Sequence, residues 1–286
     1  MPELPEVETI ARTLAPEVVG REILAVHAPD PSALQPSLAC FTALAAGRCI
    51  ESVGRRGKLL LLRLDNQGVI GVHLRMTGRV TTCGPGHEPD RPRAVLALSG
   101  GQRLCFADVR RFGSMHAFGP GEIAAWPFYA SLGPEPLGLG AAEFRARLGE
   151  GRARIKALLL NQHVVAGIGN IYADESLFRA GIRPDAPVCG LSPRKRDGLL
   201  AAIQAVLTQA IAENGSSIRD YRDANGDAGA FQNHFKAYGR SGQPCLACGE
   251  TMRLARVAGR SSTFCPHCQR GDGEAAPLCG LTTQKR

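Results

Sequence analysis

The sequence lacks two features, and each absence excludes a class of protein. None of the apolar runs in its 286 residues approaches the ~20 residues that a membrane-spanning helix needs. The opening segment, MPELPEVE, holds three glutamates and no lysine or arginine, whereas a secretory signal peptide begins with positive charge. We therefore expect a cytoplasmic protein that has no membrane partner.

Positive charge exceeds negative charge along the chain. There are 34 Lys and Arg residues against 26 Asp and Glu residues, which gives a net charge of +8 and a pI near 9.2. A basic protein favours polyanions, because lysine and arginine displace counterions from phosphates. Nucleic acid is the partner that this balance favours, although simple solubility would explain the same excess.

The N-terminal half has the pattern of a β-rich domain behind one helix. Apolar residues at helical spacing over 7–14 predict a helix that Pro16 ends. Short strands then follow one another without long helices between them, which predicts an antiparallel sandwich or barrel. Two hairpins are the clearest, pairing 58–64 with 69–76 across DNQG, and 94–98 with 103–109 across SGGQ.

The C-terminal half has a helical pattern. The Gly- and Pro-rich stretch LGPEPLGLG (132–140) predicts a linker. Ser192 followed by Pro193 is a helix start, and an apolar stripe at helical spacing continues to Ile211. Asn214-Gly215 supplies the stop signal of that helix.

Four of the ten cysteines form two CxxC pairs at the spacing of a zinc ribbon. CLAC and CPHC give C-x2-C-x16-C-x2-C, which lets two turns converge on one tetrahedral ion. We predict one structural Zn²⁺ and no organic cofactor, the ligands being Cys245, Cys248, Cys265 and Cys268. Four thiolates leave no open coordination position, so the metal should take no part in chemistry.

The residues around the finger argue against one function and favour another. A zinc deaminase would also need H-x-E, and none of the seven histidines is followed two residues later by glutamate. Residues 236–270 carry six Lys or Arg residues against Glu250 alone. A basic hairpin with Arg260 near its tip suits a phosphate-lined groove, although an ordinary solvated face would have the same composition.

The segment GIGNIYADESLF (167–178) has two interpretations. It begins like a dinucleotide fingerprint, but Tyr172 stands where that motif requires glycine or alanine. It is otherwise a Gly-rich turn into a helix, whose first N–H groups and Asn170 could bind a phosphate. An ordinary junction between two helices would have the same composition.

Six segments together resemble a known family. They are MPELPEVE at the start, HLRMTG (73–78), DVRRFG (108–113), LGPEPL (132–137), GIGNIYADESLF (167–178) and YGR (238–240) before the four-cysteine finger. In this order they resemble bacterial formamidopyrimidine-DNA glycosylases over residues 1 to about 270. The first and fifth segments are long and specific, whereas HLRMTG and LGPEPL would be weak alone.

The resemblance implies a two-domain α+β fold. It would consist of an N-terminal antiparallel β-sandwich with flanking helices and a C-terminal helix–two-turn–helix domain with a zinc finger. Duplex DNA would lie in the cleft between the two domains. The implied boundaries are 1–131 for the catalytic sandwich, 132–149 for a linker, 150–235 for the helical domain, 236–270 for the finger and 271–286 for a disordered tail.

The resemblance also implies the catalytic groups. After removal of Met1, the amine of Pro2 would be the nucleophile, and an α-amine has a pKa near ~8, which leaves a neutral fraction at pH 7. Glu3 would be the general acid and base. Lys58 would contact phosphate and lesion and lower the amine pKa further. Glu6 would support them, although acidic residues also suit the first turn of any helix.

Further implied residues hold the DNA. A damaged base must leave the stack, and the family's wedge fills the hole with Met76, Arg110 and Phe112, although periodicity alone would place Met76 and Phe112 in a core. The implied phosphate contacts are Lys156, Asn170, Tyr238 and Arg260. The implied lesion pocket is lined by Glu175 and by the loop 217–231, which includes Tyr221.

The predicted function is therefore a monomeric base-excision-repair enzyme. It would remove oxidised purines such as 8-oxoguanine and formamidopyrimidines from damaged double-stranded DNA, and then cut the strand as an AP lyase. One alternative is an endonuclease VIII-like glycosylase for oxidised pyrimidines, which Leu4 and the separated wedge residues disfavour. Another is a non-catalytic zinc-ribbon DNA-binding protein, which would give no reason for MPELPE at the terminus.

Overall fold

The chain folds into two compact units. A computed structural model describes residues 1–84, 91–217, 221 and 223–270. The first unit comprises Met1–Leu132 and Gln209–Asn233, and the second comprises Gly133–Thr208 and the chain from His234 onward. The predicted tail, 271–286, lies outside the described residues, as do 218–220 and residue 222 of the predicted pocket loop.

This division differs from the predicted domains in two places. The described residues of Gln209–Asn233 belong to the first unit, with the sandwich, whereas the prediction placed them in the helical domain. The predicted linker 132–149 ends in a helix whose Phe144 and Leu148 are buried, so this stretch contributes to the second unit and does not merely connect two domains.

The described residues contain seven α-helices and eleven strands. The helices are α1 (Leu4–Val18), α2 (Leu38–Ala45), α3 (Pro127–Ala130), α4 (Ala141–Leu148), α5 (Ile155–Leu160), α6 (Asn170–Arg179) and α7 (Pro193–Ala212). The strands are β1 (Ile23–His27), β2 (Leu34–Gln35), β3 (Ile50–Arg56), β4 (Leu59–Leu64), β5 (Val69–His73), β6 (Gly78–Cys83), β7 (Ala94–Leu98), β8 (Arg103–Asp108), β9 (Ser114–Phe118), β10 (Arg253–Val257) and β11 (Arg260–Phe264). Among these residues no helix is long and apolar enough to cross a membrane.

The first unit is the predicted β-sandwich. One sheet has the order β1-β7-β8-β6, and the other has the order β2-β9-β5-β4-β3, in which only the short β2–β9 pair is parallel. Leu60 and Leu62 join the core shared by both sheets, whereas Leu59 and Leu61 join a second cluster on the outer face. Burial of β4 on both faces explains its unbroken leucine run. Both predicted hairpins, β4–β5 and β7–β8, are present.

The prediction that Pro16 ends the first helix is wrong. Helix α1 continues through Pro16 to Val18. A proline in the last turn removes one backbone hydrogen bond, since it has no N–H. Leu14 and Val18 are both 0% exposed, and their burial against the sandwich keeps the final turn helical.

The second unit is built on helices and ends in the β10–β11 hairpin. Helix α5 packs on α6, and α6 packs on β11. The predicted N-cap at the start of α7 is confirmed, because the Ser192 hydroxyl accepts the Lys195 N–H at 3.3 Å. After α7, Asn214 and Gly215 have φ angles of 58° and 77°, the left-handed conformation that ends a helix.

Candidate active site and nucleic-acid interface

The N-terminal turn of the first unit buries two of the predicted catalytic residues. Pro2 is buried and Glu3 is 3% exposed, whereas Met1 is 45% exposed. Glu3 precedes α1, and its backbone N–H donates to Glu6 Oε2 at 2.8 Å. This contact is half of a capping box, so the ELPE sequence itself fixes the turn that carries the proline.

Glu6 connects this turn to a distant part of the first unit. Its Oε1 accepts the Ser216 N–H at 2.8 Å, and its carbonyl oxygen accepts the Tyr221 hydroxyl at 3.3 Å. A Cβ on Gly215 would lie 2.8 Å from Oε1, so glycine is required there by space as well as by its φ angle. Both carboxylate oxygens of Glu6 thus position backbone, which suits its predicted supporting role.

Lys58 lies at the tip of the β3–β4 hairpin. Arg56 pairs with Leu59, which leaves Gly57 and Lys58 as a two-residue turn, and Gly57 has the positive φ of 57° that such turns require. The lysine is 8% exposed. Helix α1 packs on both β3 and β4, so the helix behind Pro2 and the hairpin bearing Lys58 belong to one packed substructure.

The predicted wedge residues lie on exposed loops of the first unit. Met76 is 38% and Phe112 57% exposed, so periodicity alone would misplace both in a core. The Arg110 guanidinium lies 4.9 Å from the centre of the Phe112 ring. Thr77, next to Met76, accepts the Arg110 N–H at 3.2 Å, and this contact joins the two loops.

Two buried charged residues hold the Phe112 loop, and sequence reasoning missed both. Asp108 Oδ2 accepts the Gly113 N–H at 2.6 Å, and Arg93 donates to the Gly113 carbonyl at 2.7 Å and to Asp30 at 2.8 Å. The Ser32 hydroxyl and then Arg93 hold the pKa of Asp30 at about 2. An aspartate that can bond the N–H two residues on, as Asp108 does with Arg110, is a turn signal that could have identified Asp108.

The four predicted zinc ligands come together in the second unit. Their Sγ atoms all lie within 4.8 Å of one another, with separations of 3.9 Å for Cys245–Cys268 and 3.5 Å for Cys248–Cys265. Four sulfurs about 2.3 Å from a tetrahedral Zn²⁺ are about 3.8 Å apart, so the cluster fits the ion.

Lys156, a predicted phosphate contact, lies in the interior of the second unit. This side chain is 0% exposed, and its ammonium donates to Asp174 at 2.6 Å and to the Ser261 carbonyl at 3.0 Å. Asp174 also accepts the Thr263 N–H at 3.1 Å. Burial raises the pKa of Asp174 to about 6, although Lys156 opposes the shift. The pair holds β11 of the finger against α5 and α6.

Glu175, predicted to line the lesion pocket, accepts hydrogen bonds from the backbone of the second unit. It is 3% exposed, and its carboxylate accepts the backbone N–H groups of Lys236, Ala237 and Tyr238 at 2.8–3.0 Å. Burial raises the pKa of Glu175, and the three N–H groups oppose the shift. Glu175 therefore positions the segment that leads into the finger. Sequence reasoning missed Gln269, which is 0% exposed and connects Cys265 N–H to the Ile182 carbonyl.

The other predicted DNA contacts of the second unit range from partly buried to exposed. Asn170 is the first residue of α6, and its buried Oδ1 has no hydrogen-bond partner among the described atoms. Arg260 is exposed where β11 begins, beside the left-handed Ala258 and Gly259. Tyr238 is half-buried against the Phe235 ring. Their phosphate contacts stay predictions, as does the contact of Tyr221 with a flipped base.

Comparisons with known proteins match the chain domain by domain. Residues 1–115 match the formamidopyrimidine-DNA glycosylase N-terminal domain, and residues 132–222 match the helix–two-turn–helix (H2TH) domain of the same enzymes. Residues 242–271 match a zinc finger found in FPG and IleRS. Together with the four-sulfur cluster, this match shows one structural zinc.

Individual relatives match over nearly the whole chain. A formamidopyrimidine-DNA glycosylase of Chloroflexus aurantiacus is 48% identical, covering 94% of this chain and 98% of its own. The crystal structure of the MutM (FPG) protein of Thermus thermophilus is 42% identical with a TM-score of 0.85, covering 94% and 98%. A Lactococcus lactis FPG mutant bound to Fapy-dG-containing DNA is 33% identical with a TM-score of 0.88, covering 94% and 100%.

Proposed function

The chain belongs to the formamidopyrimidine-DNA glycosylase family, and from this premise we propose that it excises oxidised purines from duplex DNA and then cuts the strand at the abasic site. The relative from Lactococcus lactis was solved with DNA that contains a Fapy-dG lesion. The observation that carries the proposal is the buried N-terminal turn, in which Glu6 fixes the backbone around Pro2 and Glu3.

The first step requires the free amine of Pro2. Met1 is 45% exposed, so its removal does not disturb the core. An α-amine has a pKa near ~8, and its neutral fraction at pH 7 can attack C1′ of the damaged nucleotide. The bond between C1′ and the base breaks, and the base leaves with a proton. The new C1′–N bond becomes an iminium ion when the sugar ring opens.

Glu3 supplies the proton transfers that follow. Its protonated carboxyl gives a proton to the sugar oxygen as the ring opens, and its carboxylate then accepts a proton from C2′. Loss of that C2′ proton expels the 3′ phosphate, and a second elimination expels the 5′ phosphate. Water releases Pro2 from the remaining sugar fragment. Lys58, buried at its hairpin tip, favours the neutral amine of Pro2 by its positive charge.

Other exposed groups hold the DNA and replace the flipped base. Phe112 and Met76 are apolar and exposed, as a group that enters a base stack must be. Arg110, stacked on Phe112, is available to bond the base opposite the lesion. In the second unit, Arg260 at the finger hairpin and the N-terminus of α6 with Asn170 supply cationic and N–H groups for phosphates.

The covalent intermediate gives a direct test. Borohydride should trap the protein on a duplex with 8-oxoguanine opposite cytosine, because it reduces the iminium ion to a stable amine. Pro2→Gly should form at least tenfold less adduct, since its primary amine lacks the ring that holds the nucleophile in place. Gel analysis of the adduct measures both, and mass analysis should show a mature chain that begins at Pro2.

The matched control is Glu17→Gln, a change near the far end of the same helix α1. It should form as much adduct as the unaltered chain. An undiminished adduct with Pro2→Gly would contradict the mechanism, and a preference for a thymine-glycol duplex would favour oxidised pyrimidines as substrates.

A further inference from the structure

The first unit has a cavity that the proposed reaction does not use. Its volume is about 390 Å³, within the range of about 300–1,000 Å³ for small-ligand sites. It lies on the outer face of the five-stranded sheet, where Ser114 and His116 of β9 point beside Gln35 of β2. The segment before and within α3 closes one side with Trp126 and Phe128.

One wall of the cavity is aromatic. The Trp126 ring centre lies 4.5 Å from that of His116 and 4.8 Å from that of Phe128. Trp126 is partly buried, so only part of its ring surface is accessible. An aromatic face of this kind stacks any nucleobase, because every base presents a planar π surface.

The other lining residues are polar, and one of them carries a positive charge. Arg75 is exposed, and its backbone has the left-handed φ of 52°, which is uncommon for a residue other than glycine. Its N–H donates to His73 Nδ1 at 3.1 Å, so the ring proton of His73 lies on Nε2. Burial, followed by the charges of Arg75 and Lys58, lowers the pKa of His73 to about 3. His73 is therefore a neutral donor beside the cationic Arg75.

Ser114 and His116 complete the polar wall. The Ser114 hydroxyl lies 2.9 Å from His116 Nε2, and burial lowers the pKa of His116, which keeps this ring neutral as well. Arg75 is thus the cation of a cavity otherwise lined by neutral polar and aromatic groups. One charge beside a stacking face matches a ligand with one phosphate and one base.

We propose that this cavity binds a single nucleotide, with its base against Trp126 and its phosphate on Arg75. The inference goes beyond the proposed reaction, because none of the predicted catalytic residues lines the cavity. Two sources would supply the same chemistry: a free mononucleotide, or a nucleotide of the DNA strand itself. The strand is a plausible source because Arg75 directly precedes the predicted wedge residue Met76.

The only tryptophan of the chain makes the test specific. Trp126 fluorescence should be quenched saturably by deoxyguanosine monophosphate, measured in the full-length protein. Arg75→Gln should weaken this binding at least tenfold, since a charge-assisted hydrogen bond to phosphate is lost. Arg79→Gln removes the same charge from an exposed position on β6 and should change the affinity less than twofold.

Further probes separate the two sources. One outcome is that a lesion-free duplex gives quenching that depends on Arg75 while free deoxyguanosine monophosphate gives none. In that case the nucleotide comes from the strand, and the proposal stands. Equal binding of deoxyguanosine without phosphate, full displacement by inorganic phosphate, or equal behaviour of Arg75→Gln and Arg79→Gln would overturn it. So would the absence of quenching with every probe. Because the readout is binding, these outcomes do not depend on whether Pro2 is the nucleophile.

Discussion

The N-terminal turn of the first unit and the zinc finger of the second are held in related ways. Glu6 accepts backbone N–H groups of Glu3 and Ser216, and Glu175 accepts those of residues 236–238. The finger adds a buried ion pair and a metal site with four thiolates. The finger is therefore held by a metal site and a buried ion pair as well as by hydrogen bonds, whereas the described anchors of the N-terminal turn are individual hydrogen bonds.

Removal of the metal should give the largest effect. Loss of zinc, by chelation or by Cys265→Ser, should unfold the finger and lower duplex affinity at least a hundredfold, because metal binding supplies the folding free energy of such modules. Fluorescence anisotropy with labelled duplex measures the affinity, and Trp126 fluorescence reports whether the first unit stays folded. The control is Cys40→Ser, an exposed thiol in α2. Normal lesion-DNA binding by a zinc-free protein would refute this part of the comparison.

Breaking the buried ion pair should come next. Lys156→Met leaves Asp174 buried without its cation and should lower the free energy of unfolding by about 3–5 kcal/mol. Adding Asp174→Asn should recover much of the loss, because the uncompensated charge is then absent. Denaturant unfolding measures both variants.

The exposed pair Arg147–Glu143 provides the control for this prediction, with side chains 47% and 53% exposed. Arg147→Met should cost less than about 0.5 kcal/mol. Equal losses for Lys156→Met and Arg147→Met would mean that the buried pair does not anchor the finger.

Weakening the N-terminal turn should have an intermediate effect on stability and on kcat. Glu6→Gln keeps the size of the side chain but loses the charge, and we expect about 1–3 kcal/mol of lost stability from the two backbone contacts. The rate constant kcat for base excision should fall while KM changes little, because the DNA-binding groups are unaltered. Glu17→Gln should alter neither quantity. A rise in KM without a fall in kcat would contradict the positioning role.

The last prediction concerns acid. The folded-state pKa of His73 is about 3, below its usual 6.5, so the unfolded chain binds the additional proton between these values. His73 therefore contributes stability that is present above pH 6.5 and is lost as the pH falls toward 3. In His73→Gln the melting temperature of the first unit, followed by Trp126 fluorescence, should depend less steeply on pH in that window. An unchanged slope would contradict the assignment.

Patterns local in sequence predicted much of this molecule. The two hairpins, the signals around α7 and the CxxC spacing each depend on neighbouring residues, and the structure contains all of them. The extent of α1 was missed because burial of Val18 outweighs the effect of Pro16, and burial is a property of the whole fold. Likewise, Met76 and Phe112 have apolar spacing but lie on loops whose exposure periodicity does not show.

The roles of charged side chains were harder to predict. Lys156 and Arg260 are both basic residues in a basic region, yet one is buried against Asp174 and the other is exposed. The partners of Lys156 are Asp174, 18 positions away, and the Ser261 carbonyl, 105 positions away. Composition and spacing carry no information about such pairings. The backbone contacts of Glu175 and Gln269 were missed for the same reason.

The contact between Glu6 and Ser216 has a consequence for the order of events during synthesis. The two residues are 210 positions apart, so the N-terminal turn cannot be completed until most of the chain has left the ribosome. At about 5–20 residues per second, this interval lasts roughly 10–40 s. The proposed mechanism requires removal of Met1, and this interval is a time in which the Glu6–Ser216 contact does not yet hold the turn. The end of the chain that is made first is thus completed only when residues near the other end have been made.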